Sequence, residues 1–104
     1  MNLKRLFIPT ASAAAVLAVT TAAIAYSGQQ YASQAAISIT KARAIALKAV
    51  PGGKIAGEEL EREAGGSGLR YSFDVKVKGT THEVAVDART GKVLENSIEG
   101  PNSD

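Results

Sequence analysis

From Thr40 onward the apolar positions repeat first at helical spacing and then at strand spacing. Ala42, Ile45, Ala46, Ala49 and Val50 fall at i, i+3, i+4, i+7 and i+8, one face of a helix, with Lys41 and Lys48 on the other side. Leu47 widens the apolar stripe. Thr40 can act as N-cap through its hydroxyl, and Pro51-Gly52-Gly53 ends the segment. The spacing predicts a helix over 41–50. So short a helix is unstable alone in water and must dock on another layer.

The period then changes to two. Residues 54–63 predict an irregular strand, because Ile55 and Leu60 have opposite parity and need a bulge or bend near Gly57. Ala64-Gly65-Gly66-Ser67-Gly68 predicts a loop. In 69–78, Tyr71, Phe73, Val75 and Val77 alternate with Arg70, Ser72, Asp74, Lys76 and Lys78. After a Gly79-Thr80 turn, residues 81–87 set His82, Val84 and Val86 against Glu83, Ala85 and Asp87. A turn over 87–91 leads to a short strand, 92–95, and a frayed tail from Ser97. Short connections favour antiparallel neighbours. The expected architecture is α+β: one amphipathic helix on a three- to four-stranded antiparallel meander, with the far sheet face polar and solvated.

Ahead of this domain the pattern is different. Lys4 and Arg5 precede a charge-free, Ala-rich stretch, and Ala23-Ile24-Ala25 is a small-x-small site. These are the zones of a signal peptide, expected over 1–25 and cut after Ala25. The stretch from Leu6 to Ala25 is also about as long as a spanning helix, so an uncleaved anchor stays open. Residues 26–36, rich in Gln, Ser and Ala, are expected to be a flexible leader. The domain is expected over 37–98 and a disordered tail over 99–104. The protein is then exported, periplasmic or secreted, with membrane contact only if the anchor is retained.

Charge changes meaning after export. The chain has 12 Lys+Arg and 10 Asp+Glu. Lys4 and Arg5 leave with the signal, and ten basic residues then balance ten acidic ones. No basic patch points to nucleic acid. The absence of cysteine excludes disulfide staples and Cys-ligated zinc, so a small apolar core must suffice.

The segment Val84-Ala85-Val86-Asp87-Ala88-Arg89-Thr90-Gly91-Lys92-Val93-Leu94 resembles the ending Val-x-Val-Asp-Ala-x-Thr-Gly-x-Val-Leu of the PepSY family, the peptidase-propeptide and YpeB-type domain. Tyr71-Ser72-Phe73-Asp74-Val75 and Ile39-Thr40-Lys41-Ala42 are similar to its aromatic strand and helix entry. The resemblance spans about 37–98. It implies a non-enzymatic module that restrains or modulates a peptidase outside the cytoplasm. With no peptidase attached, this chain would act in trans. The resemblance carries no catalytic residue, cofactor or metal. The implied partner is a peptidase or another envelope protein; the alternative is a structural or sensory envelope module without a peptidase target. Turn chemistry accounts for Asp87 and Gly91, the carboxylate bonding a backbone N–H two residues on and the glycine taking a left-handed conformation.

Other chemistry is thin. His82, the one histidine, has inward or rim parity, whereas Ser72 and Asp74 on the neighbouring strand point outward, which separates nucleophile from base. Glu83 is a candidate by composition only. Glu58, Glu59, Glu61 and Glu63 read as a solvated, charge-protected strand edge rather than a calcium site, which needs converging oxygens. The strands at 54–63 and 92–95 are the expected sheet edges, open to an extended partner segment.

Overall fold

The structure, a computed structural model, describes residues 26–99. The expected signal peptide, 1–25, lies outside the described residues, as does the tail beyond Glu99. One helix, α1 (Ile39–Ala49), packs on a sheet of four strands, β1 (Lys54–Arg62), β2 (Leu69–Val77), β3 (Thr80–Asp87) and β4 (Val93–Ile98). The strands pair in chain order and antiparallel, as expected for a meander.

The core lies between helix and sheet. Ala42 and Ala46 are fully buried on α1, against Tyr71, Phe73 and Val75 of β2 and Val84 and Val86 of β3. Small residues on the helix let its backbone approach the large side chains of the sheet, so few voids are left. Each large side chain withdrawn from water contributes about 1.5–3 kcal/mol. Tyr71 and Phe73 stack at 6.4 Å, and the Tyr71 hydroxyl donates to the Ile37 carbonyl at 2.8 Å.

The helix begins earlier than Thr40. Ser38 is the N-cap, its hydroxyl accepting the Lys41 N–H at 3.1 Å. The N–H groups of Ala36 and Ile37 both donate to the Ala88 carbonyl, and this tertiary anchor fixes where the chain turns into the helix. The bulge near Gly57 is present: Ala56 is the extra residue between the Ile55–Val75 and Gly57–Asp74 pairs, and it brings Ile55 and Leu60 to one face. The β2–β3 turn is centred on Lys78 and Gly79, both at positive φ, the backbone that a two-residue hairpin requires.

Three expectations are corrected. Residues 26–36 are not an unstructured leader. They make a 3₁₀ turn over Gln29–Gln34 and a parallel bridge from Ser27 to Glu59. Tyr26 and Tyr31 supply the reason, because both pack on the core; Tyr26 meets Tyr71 edge-on at 6.4 Å, and the Arg62 guanidinium lies 5.4 Å over the Tyr31 ring. Secondly, β4 runs to Ile98, so Ser97 and Ile98 belong to the sheet, and just beyond it Glu99 donates its N–H to the Thr81 carbonyl at 2.8 Å. A second bulge at Leu94 allows the extension and leaves Val93 partly exposed. Thirdly, the far sheet face is not wholly solvated: Arg70, Ala85 and Asp87 are buried there.

Candidate functional site

The residues considered for catalysis are kept apart. Phe73 pairs with Val84 and Val75 with His82 across β2 and β3, so His82 shares the helix-side parity. Its Nδ1 lies 3.1 Å from Asn96 Oδ1, and Asn96 Nδ2 donates to the Ala49 carbonyl at the helix end. His82 therefore helps tie β4 to α1. Ser72 lies on the far face, where its hydroxyl donates to Glu61 at 2.7 Å. Asp74 and Glu83 are opposite each other on that same face.

Asp87 organises the end of the sheet. Its Oδ1 accepts from the Ser67 hydroxyl at 2.8 Å, the Arg89 N–H at 2.8 Å and the Thr90 N–H at 3.1 Å. Its Oδ2 accepts the Ser67 N–H at 2.6 Å. Burial alone would raise this carboxyl, but the bonds from the Ser67, Arg89 and Thr90 backbone and the Ser67 hydroxyl outweigh it and lower the pKa to about 2. The bond to Arg89 is the one expected of a turn aspartate, and Gly91 closes the turn at φ 82°. Sequence reasoning missed Ser67, which joins the β1–β2 loop to the β3–β4 turn. Gly66 permits that approach: a Cβ there would collide with the Asp87 carboxylate and with Leu94.

The acidic run divides. Glu58 turns to the helix side and meets Arg43 in two bonds of 2.7 and 2.8 Å, a bidentate geometry. The bond to Glu58 raises the Arg43 pKa, and burial opposes it only in part. Beside the pair, Ile55, Ala56 and Gly57 line a cleft of about 260 Å³. Its one cation is already matched by a carboxylate, so the cleft offers little to an anion. Glu63, by contrast, lies 3.8 Å from the Arg70 guanidinium. The reading of the run as a uniformly solvated edge is thus corrected at Glu58. Glu58 shares parity with Leu60, so alternation already puts it on the helix side; what the sequence did not show is its partner, Arg43, 15 residues away on the helix.

A different acidic group gathers on the far face. Carboxylate oxygens of Asp74, Glu83 and Glu99 lie within 4.8 Å of one another. Burial raises the Glu83 pKa first, and the charges of Asp74, Glu95 and Glu99 add to it. These three are the described residues that could hold a hard cation. Calcium takes roughly six to eight oxygens, so water would have to complete the shell. The sequence hid this group because its members come from β2, β3 and the residue that follows β4.

The two sheet edges differ. On β1 the Leu60 N–H donates to the Ser27 carbonyl at 2.8 Å, so the chain's own N-terminal segment occupies that edge at Glu59 and Leu60. Gly28 makes this possible at φ 84°, since a Cβ would overlap the Leu60 carbonyl. On β4, among the described residues, no strand pairs on the outer side.

Comparison with known proteins places this arrangement. The family model PepSY, described as peptidase propeptide and YPEB domain, matches residues 36–96. No curated protein and no solved structure matches the chain.

Proposed function

The chain belongs to the PepSY family, and on that premise we propose that it is an exported, non-catalytic binding module that restrains or modulates a peptidase outside the cytoplasm. PepSY domains are generally non-catalytic modules. One observation carries the binding role: β4 is a terminal strand of the sheet, and such a strand presents unpaired backbone groups to an extended segment of another chain. The placement of polar side chains fits the same reading. His82 is bonded to Asn96, Ser72 to Glu61 and Asp87 to its own turn, each in a structural role. Export is supported by the zoned N-terminus, with Lys4 and Arg5 before the apolar run and Ala23-Ile24-Ala25 behind it.

The test is capture from the native envelope with the tagged protein, followed by titration against each captured peptidase. Dose-dependent loss or change of peptidase activity is the expected result. Capture of membrane proteins with proteolysis unchanged would favour a structural or sensory envelope module instead. No captured protein at all would refute the binding role.

A further inference from the structure

The outer edge of β4 has a backbone and side-chain pattern that specifies a partner. The bond from the Glu99 N–H to the Thr81 carbonyl, with His82 opposite Ile98 and Val84 opposite Asn96, sets the alternation along the strand. Glu95, Ser97 and Glu99 turn their backbone groups to β3. Asn96 and Ile98 turn theirs to the open edge. Side chains alternate in step. Ile98, 66% exposed, and Val93, 39% exposed, lie towards the helix side. Glu95 and Glu99 lie on the opposite face, next to Glu83 of β3 and Asp74 of β2. Of the basic residues on that face, Arg70 of β2 lies 3.7 Å from Glu95, and Lys76, paired with Thr81, is two strands in from the edge.

We infer that the β4 edge receives an extended segment of a partner protein in which basic and apolar residues alternate. The inference rests on the binding-module reading and adds the chemistry of what is bound. The segment's backbone pairs with Asn96 and Ile98. Its basic side chains lie over the Asp74, Glu83 and Glu99 group, beside Glu95 and its Arg70 partner, and its apolar side chains cover Ile98 and Val93. Charge complementarity selects this occupant over a second copy of the chain. Two β4 edges paired antiparallel about Ser97, with Asn96 of each bonded to Ile98 of the other, would set Glu95 of one copy against Glu99 of the other, and like charges across a strand pair destabilise it.

The probe is a capped eight-residue peptide of alternating Lys and Val, added to the purified full chain and followed by amide hydrogen exchange. The expected result is slowed exchange at the Asn96 and Ile98 N–H groups, with binding that weakens as salt is raised. A peptide of alternating Glu and Val should give no protection. Ile98→Pro removes one outward N–H without removing a bond to β3, a substitution that edge strands tolerate. It should weaken the Lys–Val peptide about tenfold while the circular dichroism spectrum stays that of a folded chain. Glu95→Gln with Glu99→Gln should weaken it as well and flatten the salt dependence.

Unslowed exchange at Asn96 and Ile98 with the Lys–Val peptide overturns the inference. So does protection of those amides that grows with protein concentration alone, which would put a second copy on the edge. An envelope partner captured equally well by Ile98→Pro overturns the edge assignment and leaves the binding-module reading standing, whereas failure to capture any partner removes that reading itself.

Discussion

Asp87→Asn exchanges one carboxylate oxygen for an amide nitrogen and removes a charge at a residue only 1% exposed. The carboxylate accepts four hydrogen bonds, three at Oδ1 and one at Oδ2. Asparagine can keep the three at its oxygen. Its NH₂ then faces the Ser67 N–H, two donors in contact, and a buried donor left unmatched costs about 1–3 kcal/mol. The pH dependence gives an independent figure. Lowering the carboxyl from 3.8 to about 2 on folding corresponds to about 2 kcal/mol at neutral pH. The folded pKa is depressed, so the contribution is fully present above the unfolded value and is lost as pH falls from about 4 towards 2. Urea unfolding followed by circular dichroism measures it, since the chain has no tryptophan. At pH 7, Asp87→Asn should cost about 2–3 kcal/mol, a large share of the stability of so small a domain. By pH 2 the gap between the two proteins should narrow by ~1–2 kcal/mol. A gap of the same size at pH 7 and pH 2 would refute the assignment of a charged carboxylate to this turn.

Gly28→Ala should destabilise the domain by about 1–3 kcal/mol, because the positive φ and the overlap with the Leu60 carbonyl both oppose a side chain; Leu60 amide exchange should speed up as Ser27 leaves the edge, and unchanged protection there would count against the reading. Glu83→Gln should stabilise the fold at pH 7, because the raised carboxyl pKa means that the folded state disfavours the charge. That advantage should vanish below pH 4.5, the ordinary carboxyl value, so the pH trend is opposite in sign to that of Asp87 in the same assay. Tyr71→Phe should cost about 1 kcal/mol through the lost bond to the Ile37 carbonyl, and a neutral result in urea unfolding would show that the hydroxyl contributes nothing to holding the helix entry.

Much of the fold was legible in the sequence, and for a local reason. Side-chain direction repeats every two residues in a strand and every 3.6 in a helix, so the alternation from Tyr71 to Val77 and the spacing from Ala42 to Val50 identified both layers. Short turns with glycine at their ends then left the antiparallel meander as the simplest topology. The conflict in parity between Ile55 and Leu60 located the bulge, and the Asp87 turn was readable because its bonds to Arg89 and Thr90 lie within three residues.

Contacts between residues distant in sequence came only with the assembled fold. Residues 26–36 carry no periodicity, yet Tyr26 and Tyr31 find an apolar surface that exists only once β1 and β2 are assembled. Ser38 becomes the cap in place of Thr40 because Ala88, half the chain away, holds Ala36 and Ile37. Ser67 reaches Asp87 across 20 residues, and Asp74, Glu83 and Glu99 meet only when β2, β3 and the end of β4 lie side by side. The layers and the meander follow from the residue pattern, because local stereochemistry repeats along the chain. Which edge the described residues occupy and which they leave open depended on the assembled sheet, because hydrogen bonding at an edge is set by whatever distant segment folds back to meet it.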